Sequence, residues 1–159
     1  MKKNGKNMEN KKKISYRIKL CSAKDLDGAA VLFRKTTAEP PEGSEWTERQ
    51  AWRFLARIKK IDPSGCYVAV EGGRIIGGLF GCHSHWKDKR VFQLEEIFVS
   101  PEYRRKGVGR ALFNRVVRAG RKKTIVWLYA NKKNPSVRFY KALGMKVQTH
   151  VAIIGGRFG

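Results

Sequence analysis

The sequence predicts an α+β domain built on a mixed α/β sheet, mostly antiparallel, with helices on both faces. Three observations carry this. Runs of alternating apolar and polar residues between 66 and 99 follow one another across short glycine- or lysine-containing turns, the mark of an antiparallel meander. Apolar residues at helical spacing fill two segments before the meander and two after it. The strand ending at Val99 passes through a glycine-spaced turn into a helix and then into another apolar run, which makes one β-α-β crossover. The predicted order is β-α-α-β-β-β-α-β-α-β.

Residues 1–13 are polar, lysine-rich and non-periodic and read as a flexible basic arm, leaving 14–159 as one domain. From Ile14 the pattern alternates, with Tyr16, Ile18 and Leu20 on one face of a first strand. Ser22 and Asp25 supply a helix start, and Leu26, Ala29, Ala30 and Phe33 recur at helical spacing. Residues 36–45, with Pro40-Pro41 and Gly43, are a loop. Thr47 and Gln50 form a capping box for a second helix, expected to turn Trp52, Leu55 and Ala56 inward.

Asp62-Pro63-Ser64-Gly65 closes that helix. Strands follow over 66–70 and 75–82, joined by a hairpin turn at Glu71-Gly72-Gly73, and a third over 91–99 after the polar Lys87–Arg90 turn. Val108, Leu112, Phe113 and Val116 form the inner face of a helix ending near Gly120. The nearly all-apolar 124–130 reads as a strand covered on both faces. Asn134-Pro135 opens a short helix that stops at Gly144, and 145–154 is the last strand.

The 159 residues carry 35 Lys and Arg against 13 Asp and Glu, a net charge of +22. That balance predicts attraction to a polyanion: a phosphate-rich cofactor, a nucleic acid or ribosome, or an anionic surface. No apolar run approaches the length of a membrane span. The basic N-terminus lacks the apolar stretch of a secretory signal, so a cytoplasmic location is expected. The odd number of dispersed cysteines, Cys21, Cys66 and Cys82, reads as free thiols rather than a disulfide framework. His83 and His85 share one face of a strand while Cys82 points away, with no fourth ligand, so no metal site is expected.

The chemistry concentrates at 95–112, EEIFVSPEYRRKGVGRAL. A buried strand with Ile97, Phe98 and Val99 turns at Ser100-Pro101 into the loop Arg104, Arg105, Lys106, Gly107, Val108, Gly109, which opens a helix. Glycines allow close backbone approach. The free N–H groups of the first helical turn, with the helix dipole, suit a phosphate. The residues alone describe an anion cradle.

At this point the motifs resemble the GNAT superfamily of acyl-CoA-dependent N-acyltransferases. Arg104, Gly107 and Gly109 match its signature loop, and Asn134, Phe139, Tyr140 and Gly144 match a second motif, with Val137 and Met145 as apolar departures. The resemblance implies a GNAT-like fold, acetyl-CoA as co-substrate and a primary amine as acceptor. It places the pyrophosphate on the backbone of Arg105 to Gly109, supported by Arg104, Arg105, Lys106 and Arg110. It pairs the pantetheine arm with the main chain of Ile97, Phe98 and Val99, and it sets Asn134 beside the arm or as a plain helix cap. Tyr140 becomes the general acid for the departing thiolate, against the alternative of a core tyrosine.

The attacking ammonium must lose a proton, and Glu95 and Glu96 point to opposite faces of the strand. In polyamine-acetylating members a glutamate stands nine residues before the loop's first arginine, which falls on Glu95. That favours Glu95 as base or water-holder over Glu96, with a structural salt bridge as the alternative. For the acceptor, Glu39, Glu42, Glu45 and Glu48 crowd together with Trp46 and Trp52. Carboxylates and aromatic faces attract a cationic amine, which points to a small polycation such as a polyamine. A solvated acidic loop is the plainer alternative. A protein N-terminus or lysine is a second acceptor class. A basic nucleic-acid- or ribosome-binding protein that retains the fold is a competing function, and a homodimer stays open.

Overall fold

The computed structural model describes residues 15–119 and 123–150. Strand β1 (Arg17–Leu20) leads through a 3-10 turn into α1 (Leu26–Thr37) and α2 (Glu48–Ile61). The meander follows as β2 (Cys66–Glu71), β3 (Arg74–Trp86) and β4 (Lys89–Val99). Helix α3 (Val108–Arg118), strand β5 (Thr124–Trp127) and helix α4 (Ser136–Ala142) complete the described elements. The sheet runs β1-β2-β3-β4-β5. Its first four strands pair antiparallel, and β4 pairs with β5 in parallel.

Two apolar clusters lie on opposite faces of this sheet. On one, α1 and α2 bury Phe33, Leu55 and Ile58 against Phe80 and Phe98. On the other, Val108, Leu112 and Val116 of α3 pack against Leu79, Phe92 and Leu94. The predicted mixed α+β sheet with helices on both faces is the observed one.

Local signals placed the helix ends. Thr47 and Gln50 form the reciprocal capping box of α2. Asn134 Oδ1 accepts from the Ser136 N–H at 2.8 Å, and Gly144 turns the chain away at φ +89. Helix α1 runs on to Thr37 rather than stopping before residue 36, and the Thr36 and Thr37 hydroxyls bond back to Leu32 and Phe33 carbonyls.

Further expectations differ from the structure. Trp52 is 41% exposed, because the buried stripe of α2 is Ala51, Leu55 and Ile58 at i, i+4, i+7, which leaves Trp52 on the flank. Leu20 is likewise 52% exposed at the end of β1, while Tyr16 and Ile18 pack inward. Strand β5 ends at Trp127, and Ile125 and Trp127 remain about half exposed, so only its α3-side face is covered. Residues 145–150 are not a strand; the rest of that predicted strand, Gly120, Ile14 and the arm lie outside the described residues.

Candidate active site

Pairing between β4 and β5 stops at Gln93 and Trp127, so β4 continues from Leu94 to Val99 without a partner on that side among the described residues. The Ser100 N–H donates to the Ile76 carbonyl at 2.9 Å, toward β3. By the alternation of strand hydrogen bonding, the N–H and C=O of Val99 and Ile97 therefore turn the other way. An extended chain can add to this edge as one more strand. The Val99 carbonyl already accepts from Arg104 Nε at 3.1 Å. Phe98 plays a different part: its ring stacks on Phe80 and meets Phe33 edge-on in the core.

Beyond Ser100 the chain makes a 3-10 turn (Pro101–Tyr103) and then the loop. Arg105 and Gly107 both have positive φ, at 58 and 86, which aims successive N–H groups to one side. Gly107 is the N-cap of α3, so the N–H groups of Val108, Gly109 and Arg110 have no acceptor within the helix. The residues fit an anion such as the pyrophosphate of an acyl-CoA. Among the basic side chains, Arg104 is bound to Val99 and Glu39 and Arg110 to the Ala142 carbonyl. Arg105 is exposed, and the Lys106 ammonium lies 5.5 Å above the Tyr103 ring. The Tyr103 hydroxyl in turn donates to Glu71, a tie between this loop and the β2–β3 hairpin that has no signal in the sequence.

The second motif meets the first at Gly109. A Cβ there would stand 3.2 Å from the Phe139 ring, so the glycine lets α4 approach the first turn of α3. This contact brings Tyr140 against the α3-side core.

A β-bulge between β3 and β4 breaks the strict alternation of the two glutamates: Phe80 pairs with Glu96 and Gly81 with Leu94, which leaves Glu95 as the extra residue. Glu95 is exposed, whereas Glu96 is half-buried on the face of Phe80. Burial, with the charges of Glu42 and Glu95 beside it, pushes the Glu96 carboxyl up to about 7. Burial, then the charges of Glu96 and Glu42, pushes Tyr140 up to about 12. Asn134 Nδ2 lies 3.5 Å from Glu42 Oε1. Glu42, Glu96, Tyr140 and Asn134 thus gather at one place, from the α1–α2 loop, β4, α4 and the turn that precedes α4.

The acidic segment does not act as a unit. Glu39 pairs with Arg104 at 2.7 Å, Glu42 joins the site, and Glu45 is exposed. Trp46 is an aromatic core residue against Phe33 and Phe54. Glu48 and Trp52 instead line a cavity of about 350 Å³ with Asp27, Ala30 and Arg49, and no residue gathered around Tyr140 takes part in it. Asp62 holds His83 through its Nδ1 at 2.7 Å. The cysteines are free, and burial pushes Cys21 up to about 11 and Cys66 up to about 12. No helix among the described residues is long and apolar enough to cross a membrane.

A family model described as the acetyltransferase (GNAT) family matches residues 31–145. An uncharacterized N-acetyltransferase of Methanocaldococcus jannaschii is 27% identical over 142 residues, covering 83% of this chain. The chain spans 61% of that relative's length. Among solved structures, a possible acetyltransferase from Clostridium difficile 630 has a TM-score of 0.75 at 20% identity, with 91% of this chain and 99% of that one covered. An aminoglycoside N-acetyltransferase in complex with CoA has a TM-score of 0.68 at 19% identity, covering 91% and 96%.

Proposed function

Because the chain belongs to the GNAT acetyltransferase family, we propose that it transfers an acetyl group from acetyl-CoA to a primary amine, with a small cationic amine as the favoured acceptor. The observation that carries the reading is the meeting, at the open edge of β4, of a carboxyl and a phenol that burial and neighbouring carboxylates both push up: Glu96 to about 7 and Tyr140 to about 12. At neutral pH a carboxyl near 7 exchanges its proton while a phenol near 12 keeps it, which suits the first to the role of base and the second to that of acid.

Acetyl-CoA supplies an acetyl group activated as a thioester. The main chain of Ile97 and Val99 pairs with its arm, and the N–H groups from Arg105 to Gly109 hold its pyrophosphate. Glu96, as carboxylate, accepts the proton that the acceptor ammonium must lose before it can attack, directly or through a water. Tyr140 keeps its phenolic proton throughout the neutral range and gives it to the departing sulfur. Glu42, beside this pair, draws the cationic amine in by charge. Spacing in the sequence favours Glu95 for the base, but its exposure on the bulge supports a different role, as a charge that raises Glu96.

Release of CoA measured across polyamines, aminoglycosides, amino acids and lysine peptides tests the reaction and its acceptor together. With the best acceptor, kcat/KM should rise with pH through about 7, and Glu96→Gln should remove that limb while Glu95→Gln keeps it. Tyr140→Phe should lower kcat on the order of 100-fold with acetyl-CoA affinity retained. A limb that survives in Glu96→Gln, or full turnover in Tyr140→Phe, contradicts the assignment. Salt-sensitive RNA binding without CoA release from any amine would support the nucleic-acid-binding alternative instead.

A further inference from the structure

Arg104 joins two parts of the molecule that the reaction must bring together. Its Nε donates to the Val99 carbonyl at 3.1 Å on the open edge of β4. Its Nη1 donates to Glu39 Oε2 at 2.7 Å in the loop between α1 and α2. The two side chains keep 44% and 34% of their surface exposed, so the pair is solvent-screened and exchanges partners at small cost.

We propose that Arg104 couples the cofactor edge to the acceptor loop: a pyrophosphate arriving before α3 draws the guanidinium from Glu39 and frees that carboxylate to attract a cationic amine. The inference rests on the acetyltransferase reading and adds to it a means by which one substrate prepares the place of the other. Arg104 opens the loop whose N–H groups line the anion cradle, so its side chain lies within reach of both claimants. A pyrophosphate carries more negative charge than one carboxylate and presents several oxygens to the guanidinium fork. The arm adds to the same pull, because the Val99 carbonyl that Arg104 covers is one that an added strand would use. The loop's other tie across to the cofactor side is the longer contact between Glu42 and Asn134, at 3.5 Å.

Linkage makes the coupling reciprocal: if CoA weakens the hold of Arg104 on Glu39, then Glu39 weakens CoA binding by the same factor. Calorimetric titration of CoA into the wild type, Glu39→Gln, Arg104→Met and the double variant reads this out. Glu39→Gln should bind CoA about two- to fivefold more tightly, the worth of an exposed charge pair. The double variant should match Arg104→Met alone, since the gain passes through the guanidinium. Amide hydrogen exchange over residues 38–46 should quicken on CoA binding in the wild type and stay constant in Glu39→Gln. Unaltered or weaker CoA binding by Glu39→Gln, or slower exchange in that loop, overturns the coupling while leaving the acetyltransferase reading in place. A wild type that binds no CoA overturns both.

Discussion

The base proposed at Glu96 would serve chemistry at the expense of stability. Its carboxyl titrates at about 7 in the folded chain against 4.5 for an ordinary glutamate, so the folded state holds this proton more tightly than the unfolded state does. Stability must then fall as pH rises from 4.5 through about 7 and stay lower above that range, because the folded chain has to carry a half-buried charge there. The shift corresponds to at most about 3 kcal/mol. Glu96→Gln keeps the shape of the protonated side chain and cannot ionise. It should therefore match the wild type near pH 4.5 and exceed it by up to about 3 kcal/mol at pH 8. Urea unfolding at the two pH values measures this, and a variant no more stable at pH 8 would show that the carboxylate is well solvated where it stands.

At the scale of elements, what could be read from the sequence was what depends on neighbours along the chain. The capping box at Thr47 and Gln50, the glycine turn into α3 and the stop at Gly144 are local events, and all three stand where the residues put them. The inward face of α2 is set by position in the stripe of Ala51, Leu55 and Ile58, and the size of the Trp52 ring does not bring it in from the flank. The bulge that separates Glu95 from Glu96 had no signal of its own, since it arises from the register between two strands. Its partner strand does carry a trace of it. A Cβ on Gly81, beside the bulge, would stand 2.3 Å from the Gln93 carbonyl oxygen and 2.5 Å from the Phe92 ring. Backbone cannot yield there without opening the β3–β4 ladder that presents Glu96. Gly81→Ala should cost about 1–3 kcal/mol and lower the melting temperature by about 3–10 °C. Gly28→Ala on α1 meets the side chain of Ile75, whose Cγ1 stands 2.9 Å away beside the β-branch, and gains helix propensity, so it should cost less than Gly81→Ala, where backbone is the obstacle. Equal melting temperatures for the two variants would mean that β3 and β4 can separate at the bulge.

At the scale of the whole molecule, the charge works in two opposed directions. The chain carries a net +22, and among the lysines and arginines of the described residues only Lys19, Arg74 and Arg104 form ion pairs with carboxylates. Most of the remaining cations face solvent and one another, which favours the more expanded unfolded state. On the proposed reading, the same field attracts the phosphates of an acyl-CoA toward the loop at Arg105 and Lys106. Added salt screens both effects once the Debye length falls to about 8 Å, near physiological ionic strength. Raising NaCl from about 20 to about 300 mM should therefore raise the melting temperature of the free protein while weakening its affinity for CoA. Differential scanning fluorimetry and calorimetric titration over one salt series measure the two responses. Opposite signs assign both to the same long-range field. A melting temperature that rises while CoA affinity holds constant would instead confine cofactor binding to the backbone N–H groups of the cradle, where the short range of each contact leaves salt little to screen.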